Sequence, residues 1–160
     1  MGVSGCGKSL VGALLAQALG ARFIEGDRFH PAQNLARMAA GVPLTDAERW
    51  DWLRALRAEL LTAQEEGEVA VLACSALKRS YRELLRGEDR QVCFVHLHGD
   101  RELIAQRMAA RSGHFMPPAL LDSQLRDLEP LQPDECGLTL DLRAPPASLV
   151  EQALAAARSR

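Results

Sequence analysis

The chain predicts an α/β fold in three layers, a parallel β-sheet covered by helices on both faces. Three observations predict it. Short apolar runs of strand length alternate with helical runs along nearly the whole sequence, the pattern of βαβ units with right-handed crossovers. Residues 69–74 are apolar on both faces, as a buried parallel strand requires. Residues 2–9, GVSGCGKS, match the phosphate-binding loop pattern G-x-x-x-x-G-K-[ST] at every fixed position.

Each element follows in order. In residues 8–19, Leu10, Val11, Leu14, Leu15, Ala18 and Leu19 recur at helical spacing, and Gly20 stops the helix. Residues 22–24 make a short strand that runs into a polar loop, 25–31. A helix with Leu35 and Met38 ends near Gly41. Thr45 and Glu48 form a capping box that opens a long helix through Trp52, Leu53, Leu56, Leu60 and Leu61, closed at Gly67. The strand 69–74 leads through an exit loop, 75–78, to a helix over 79–86. Residues 92–97 are the next strand. Asp100 is placed to cap a helix running to Arg111, which the Gly-Pro stretch 113–118 interrupts. A helix over 118–128, a strand over 138–142 and a helix opened by Pro145 and Pro146 complete the chain.

The 160 residues, 48% hydrophobic and 25% charged, suit one soluble domain with a real core. A formal charge of -2 argues against a general nucleic-acid or membrane-surface role. No apolar run is long enough to span a bilayer, and no secretory leader opens the chain, so a cytoplasmic location is expected. Cys6, Cys74, Cys93 and Cys136 form no C-x-x-C pair. All four are expected as reduced thiols, with Cys6, beside a helix start and Lys8, the reactive one. Only Lys8 and Lys78 are lysines among nineteen basic residues. Both fall in loops expected at a site, where a compact ammonium has a use that arginine does not share.

Ligands of parallel sheets sit at the carboxyl ends of the strands. The phosphate loop, Glu25 and Asp27, Ser75 and Lys78, and Gly99 and Asp100 are all expected there. In the loop, glycines let Gly2, Val3, Ser4, Gly5, Cys6 and Gly7 turn backbone N–H groups toward phosphate oxygens. Lys8 supplies a charge near the β- and γ-phosphates, and the Ser9 hydroxyl is a Mg²⁺ ligand. Glu25 and Asp27, two apart, face the same way if the backbone stays extended. One then holds the metal through water and the other takes a proton from a substrate hydroxyl. His30 either lines a pocket or starts the next helix. Arg49 points either at the site or at water. Lys78 and Arg82 either bind an anionic substrate or form a solvated helix face. Arg107 and Arg111 either close over phosphates as part of a lid or simply complete a helix end.

Taken together, these stretches resemble one family, the gluconokinases of the thermoresistant type. The matching pieces are MGVSGCGKS at 1–9, EGDRFHP at 25–31, GVPLTD at 41–46 with Arg49 and Trp52-Leu53, ACSALK at 73–78, Tyr81-Arg82, GHFMP at 113–117, Gln124 and Leu128-Glu129-Pro130. They span nearly the whole chain. Cys6 stands where the family usually has serine, and Trp50-Asp51 replace a usual proline before Trp52.

The resemblance implies a P-loop kinase fold like that of shikimate and adenylate kinases, apparently lacking the first strand. It implies a single domain over 1–160 with a lid at about 107–130, ATP and Mg²⁺ as cofactors, and a homodimer. The implied reaction is phosphorylation of D-gluconate on its 6-hydroxyl. The alternatives are a related small-acid kinase, shikimate kinase-like, or an inactive nucleotide-binding remnant. By the resemblance Asp27 is the base and Glu25 helps order the metal. Lys78 and Arg82 face the substrate carboxylate, with His30, Arg49 and His114 completing the acid's site. Arg107 and Arg111 belong to the lid.

Overall fold

The structure, a computed structural model, describes residues 1–88, 91–110 and 118–158. Seven helices and four strands alternate among them: α1 (Lys8–Leu19), β1 (Arg22–Glu25), α2 (Ala32–Ala39), α3 (Asp46–Glu65), β2 (Ala70–Ala73), α4 (Arg79–Arg86), β3 (Phe94–His98), α5 (Arg101–Ala109), α6 (Pro118–Asp127), β4 (Gly137–Asp141) and α7 (Pro146–Arg158). A 3₁₀ turn, Gly26–Phe29, follows β1. The expected boundaries hold to within a few residues. The Thr45–Glu48 capping box is present in both directions. Asp100 precedes α5, but its side chain makes no cap.

Both strand pairings are parallel. Ile24 of β1 lies opposite Leu72 of β2, and His96 of β3 opposite Thr139 of β4. The strands form two separate two-stranded sheets among the described residues. The start of the chain lies between them. The Met1 amino group donates to the Val95 carbonyl, and the Leu97 amide donates to the Met1 carbonyl at 3.0 Å. On the other side, the Gly2 amide donates to the Ser75 carbonyl at 3.1 Å. Residues 1–2 thus occupy the place of a strand between β2 and β3, at their carboxyl ends.

Two apolar clusters enclose these strands. Val11, Leu15, Leu97, Leu140, Leu142 and Leu149 form one, with α1 packed on α7. Trp52, Leu53, Leu56, Tyr81 and Leu85 form the other, with α3 packed on α4. Among the described residues, no helix is long and apolar enough to cross a membrane.

The cysteines depart from expectation. Phe94 pairs with Gly137, which sets Cys93 opposite Cys136, and the two are joined as a disulfide with 4.7 Å between their Cα atoms. Cys6 is free but wholly buried, so the structure places it in the core rather than at a reactive surface. Cys74 is also buried, and desolvation pushes its thiol up to about 12.

Candidate active site

The phosphate loop runs from Met1 into α1. Gly5 and Gly7 take φ of 80° and 88°, a region that L-residues with a Cβ seldom adopt. At Gly5 a side chain would also meet Met108 at 2.4 Å. The first turn of α1 has no side-chain cap and no acidic residue. Its N-terminal N–H groups and dipole therefore remain for an anion. These features fit a nucleotide's phosphates. The Lys8 ammonium folds back on the Val3 carbonyl at 2.9 Å, close to where phosphates would sit. Ser9 is exposed one residue into α1, as a metal-ligating hydroxyl must be. Among the described residues no group of three or more His, Cys, Asp or Glu side chains could cage a metal. A cation here would depend on Ser9, water and the nucleotide itself.

Glu25 and Asp27 do not stand in the extended relation the sequence suggested. The 3₁₀ turn begins at Gly26, so Glu25 ends β1 opposite Ala73 while Asp27 is exposed in the turn. Gly26 permits the turn to press on β2, since a Cβ there would lie 2.6 Å from the Ala73 carbonyl. The Trp52 indole N–H donates to the Gly26 carbonyl at 2.8 Å, fixing the turn to α3.

Beside the turn lies a cavity of about 40 Å³ whose lining includes His30, Arg49, Trp52, Ser75, Ser123 and Gln124. His30 stacks on Trp52 with ring centroids 4.1 Å apart. Its Nδ1 is buried without a partner, which invites a ligand hydroxyl. Burial lowers the His30 pKa, and Arg49 adds to this against the pull of Asp27. Arg49, undecided in the sequence, is buried. Its guanidinium lies 5.7 Å from the Tyr81 ring centre and 3.6 Å from Asp127.

Lys78 stands at the edge of this region, and both Asp46 oxygens accept from its ammonium at 2.8 and 2.9 Å. The Tyr81 hydroxyl donates to Asp46 as well. The Lys78 and Tyr81 bonds together hold Asp46 below its usual carboxylate range. Read from the sequence, Asp46 has no role at the site, although it closes the GVPLTD piece at 41–46. The capping box that occupies Thr45 and Glu48 is what leaves the Asp46 side chain free for Lys78.

Arg82 is a correction. It is 1% exposed, and Glu135 accepts from its guanidinium at 2.6 and 2.8 Å. The carbonyls of Leu77 and Glu129 accept from it at 3.1 and 3.0 Å. A guanidinium so engaged braces the loop behind Lys78 and is not offered to a substrate. Arg107 donates to the Leu142 carbonyl at 2.6 Å, at the exit of β4. Arg111 and His114 lie outside the described residues. Gln124, quoted from the sequence without a role, reaches the phosphate loop: the Ser4 amide donates to its Oε1 at 2.6 Å.

A phosphate loop opening a helix on parallel strands, with an acidic turn and a polar pocket beside it, defines a small-molecule kinase of the P-loop class. The sequence pattern of the shikimate kinase family matches residues 4–134. The chain is 44% identical to the thermosensitive gluconokinase of Escherichia coli K12, over 95% of this chain and 82% of that protein. It is 41% identical to the thermoresistant gluconokinase of the same organism, over 91% and 83%. A solved gluconokinase from Sinorhizobium meliloti 1021 superposes with a TM-score of 0.90 at 46% identity, over 99% of this chain and 89% of that one. The chain belongs to the gluconokinases of the shikimate kinase family, and identities of 44% and 41% leave the division into thermoresistant and thermosensitive types open.

Proposed function

We propose that this protein transfers the γ-phosphoryl group of ATP to the 6-hydroxyl of D-gluconate, giving 6-phospho-D-gluconate. The observation that carries this reading is the adjacency of two different sites. The Gly2 amide meets the Ser75 carbonyl, and Ser4 meets Gln124, so the phosphate loop shares a wall with a pocket lined by Arg49 and His30. A donor phosphate and an acidic polyol bound there would be neighbours.

The fold is read as three layers with residues 1–2 on the line of a central strand, in a single domain over 1–160 with a lid at about 107–130. ATP supplies the phosphoryl group and Mg²⁺ neutralises its charge, with Ser9, and Glu25 through water, holding the metal. The loop amides after Gly2, whose own N–H is held by the Ser75 carbonyl, cradle the phosphates, and Lys8 exchanges the Val3 carbonyl for a phosphate oxygen. Asp27 takes the proton of the attacking hydroxyl. Arg49 and Lys78 orient the carboxylate by charge-assisted hydrogen bonds. His30 Nδ1 engages a substrate hydroxyl, with His114 assisting. Arg107 and Arg111 stabilise the transferring group from the lid. A cytoplasmic homodimer is the form we expect.

A coupled assay with ATP, Mg²⁺ and a panel of gluconate, shikimate and other sugar acids tests the reading. Turnover selective for gluconate supports it. Preference for shikimate or another acid overturns the substrate. Nucleotide binding without turnover on any acid would favour an inactive nucleotide-binding protein. Sedimentation checks the dimer.

A further inference from the structure

The pocket beside the phosphate loop is too small for its proposed ligand. Its volume is about 40 Å³, against roughly 300–1,000 Å³ for sites that enclose small molecules. The helix that closes it is α6, which contributes Leu120, Ser123 and Gln124 to the lining. Two residues of α6 hold the groups that the two ligands need. Gln124 Oε1 accepts from the Ser4 amide at 2.6 Å, using a donor of the phosphate loop. Asp127 lies 3.6 Å from the Arg49 guanidinium, using the cation that faces the pocket. Gln124 and Asp127 are three apart and so share a helix face.

The chemistry of both contacts is imitative. An amide oxygen sits at a backbone N–H that suits a phosphate oxygen, and a carboxylate sits near an arginine that suits a substrate carboxylate. Both imitations are weaker than the ligands. A charged phosphate oxygen makes a stronger hydrogen bond than a neutral amide. At 3.6 Å the Asp127 contact is loose, and Asp127 is 31% exposed, where ion pairs hold weakly. Just beyond α6, the Glu129 amide donates to the Leu77 carbonyl at 2.9 Å, which anchors the chain where the helix ends.

We propose that α6 carries built-in stand-ins for both ligands, Gln124 for a nucleotide phosphate and Asp127 for the acid's carboxylate, so that each ligand promotes binding of the other by displacing the same helix. The proposal rests on reading residues 2–9 as the nucleotide site and Arg49 as a carboxylate site. Whichever ligand arrives first bears the cost of moving α6, and the second finds the pocket already open. The coupling is reciprocal by linkage.

Calorimetry on the whole chain tests this with gluconate and a non-hydrolysable ATP analogue, each titrated alone and with the other present. In the wild type each ligand should tighten the other by the same factor, about fivefold or more. Gln124→Ala should bind the analogue alone more tightly than wild type, and Asp127→Asn should do so for gluconate alone. In both variants the coupling factor should fall toward one. Gln124→Glu keeps an acceptor at Ser4 and adds charge, so it should bind the analogue more weakly than wild type. A coupling factor of one in the wild type, or an unchanged factor in both variants, overturns the proposal. Failure of gluconate to bind under any condition would instead refute the acid reading. The nucleotide arm then still decides: no gain in analogue binding for Gln124→Ala removes the stand-in role.

Discussion

The Leu97 amide donates to the Met1 carbonyl at 3.0 Å, so the first residue of the chain is hydrogen-bonded into the edge of β3. Together with the Gly2 amide on the Ser75 carbonyl at 3.1 Å, this bond ties the start of the phosphate loop to the strands on either side of it.

Arg82 and Glu135 form an ion pair whose side chains are 0% and 4% exposed. Removing one partner leaves a buried charge without compensation, so Arg82→Ala should cost about 3–5 kcal/mol in denaturant unfolding. The KM for gluconate of the protein that remains folded should change little. Arg82 holds Glu135 below its usual range. The pair's contribution is therefore complete above the ordinary glutamate pKa and lost as pH falls through the lowered one. A variant with normal stability and a large rise in KM would return Arg82 to the substrate site.

The Cys93–Cys136 disulfide joins residues 43 apart in sequence. Loop closure of that length gives about 4 kcal/mol as an upper figure, and the β3–β4 ladder already holds the same ends. Cys93→Ser, or reduction, should lower stability by about 2–4 kcal/mol. Equal melting temperatures with and without dithiothreitol would exclude the bond in solution.

What the sequence made legible was local. The phosphate loop, the capping box and the alternation of strands and helices depend on near neighbours, and the structure follows them. What it hid depends on register. Cys93 meets Cys136 only because Phe94 pairs with Gly137, a choice no spacing within either strand records. Arg82 reads as a substrate ligand or a solvated helix face until Glu135, 53 residues on, comes beneath it. Glu25 and Asp27 stand two apart in either case, but the turn at Gly26 removes the extended geometry that aligned them. Asp46 was hidden because a capping box already explained its segment.

Asp27 offers the sharpest test of the proposed chemistry. It is exposed in the turn after β1, so Asp27→Asn removes a charge without opening a core. Folding stability should change by less than about 0.5 kcal/mol. If Asp27 takes the proton of the attacking hydroxyl, kcat should fall by about 10²–10⁴-fold, with KM for ATP nearly unchanged. Glu25→Gln should behave differently. A residue that orders the metal through water is expected to raise the Mg²⁺ concentration needed for half-maximal rate, and excess Mg²⁺ should restore much of kcat. The pair of Mg²⁺ titrations separates the two roles. Recovery of Asp27→Asn by excess metal would make Asp27 the metal's residue and reverse the assignment.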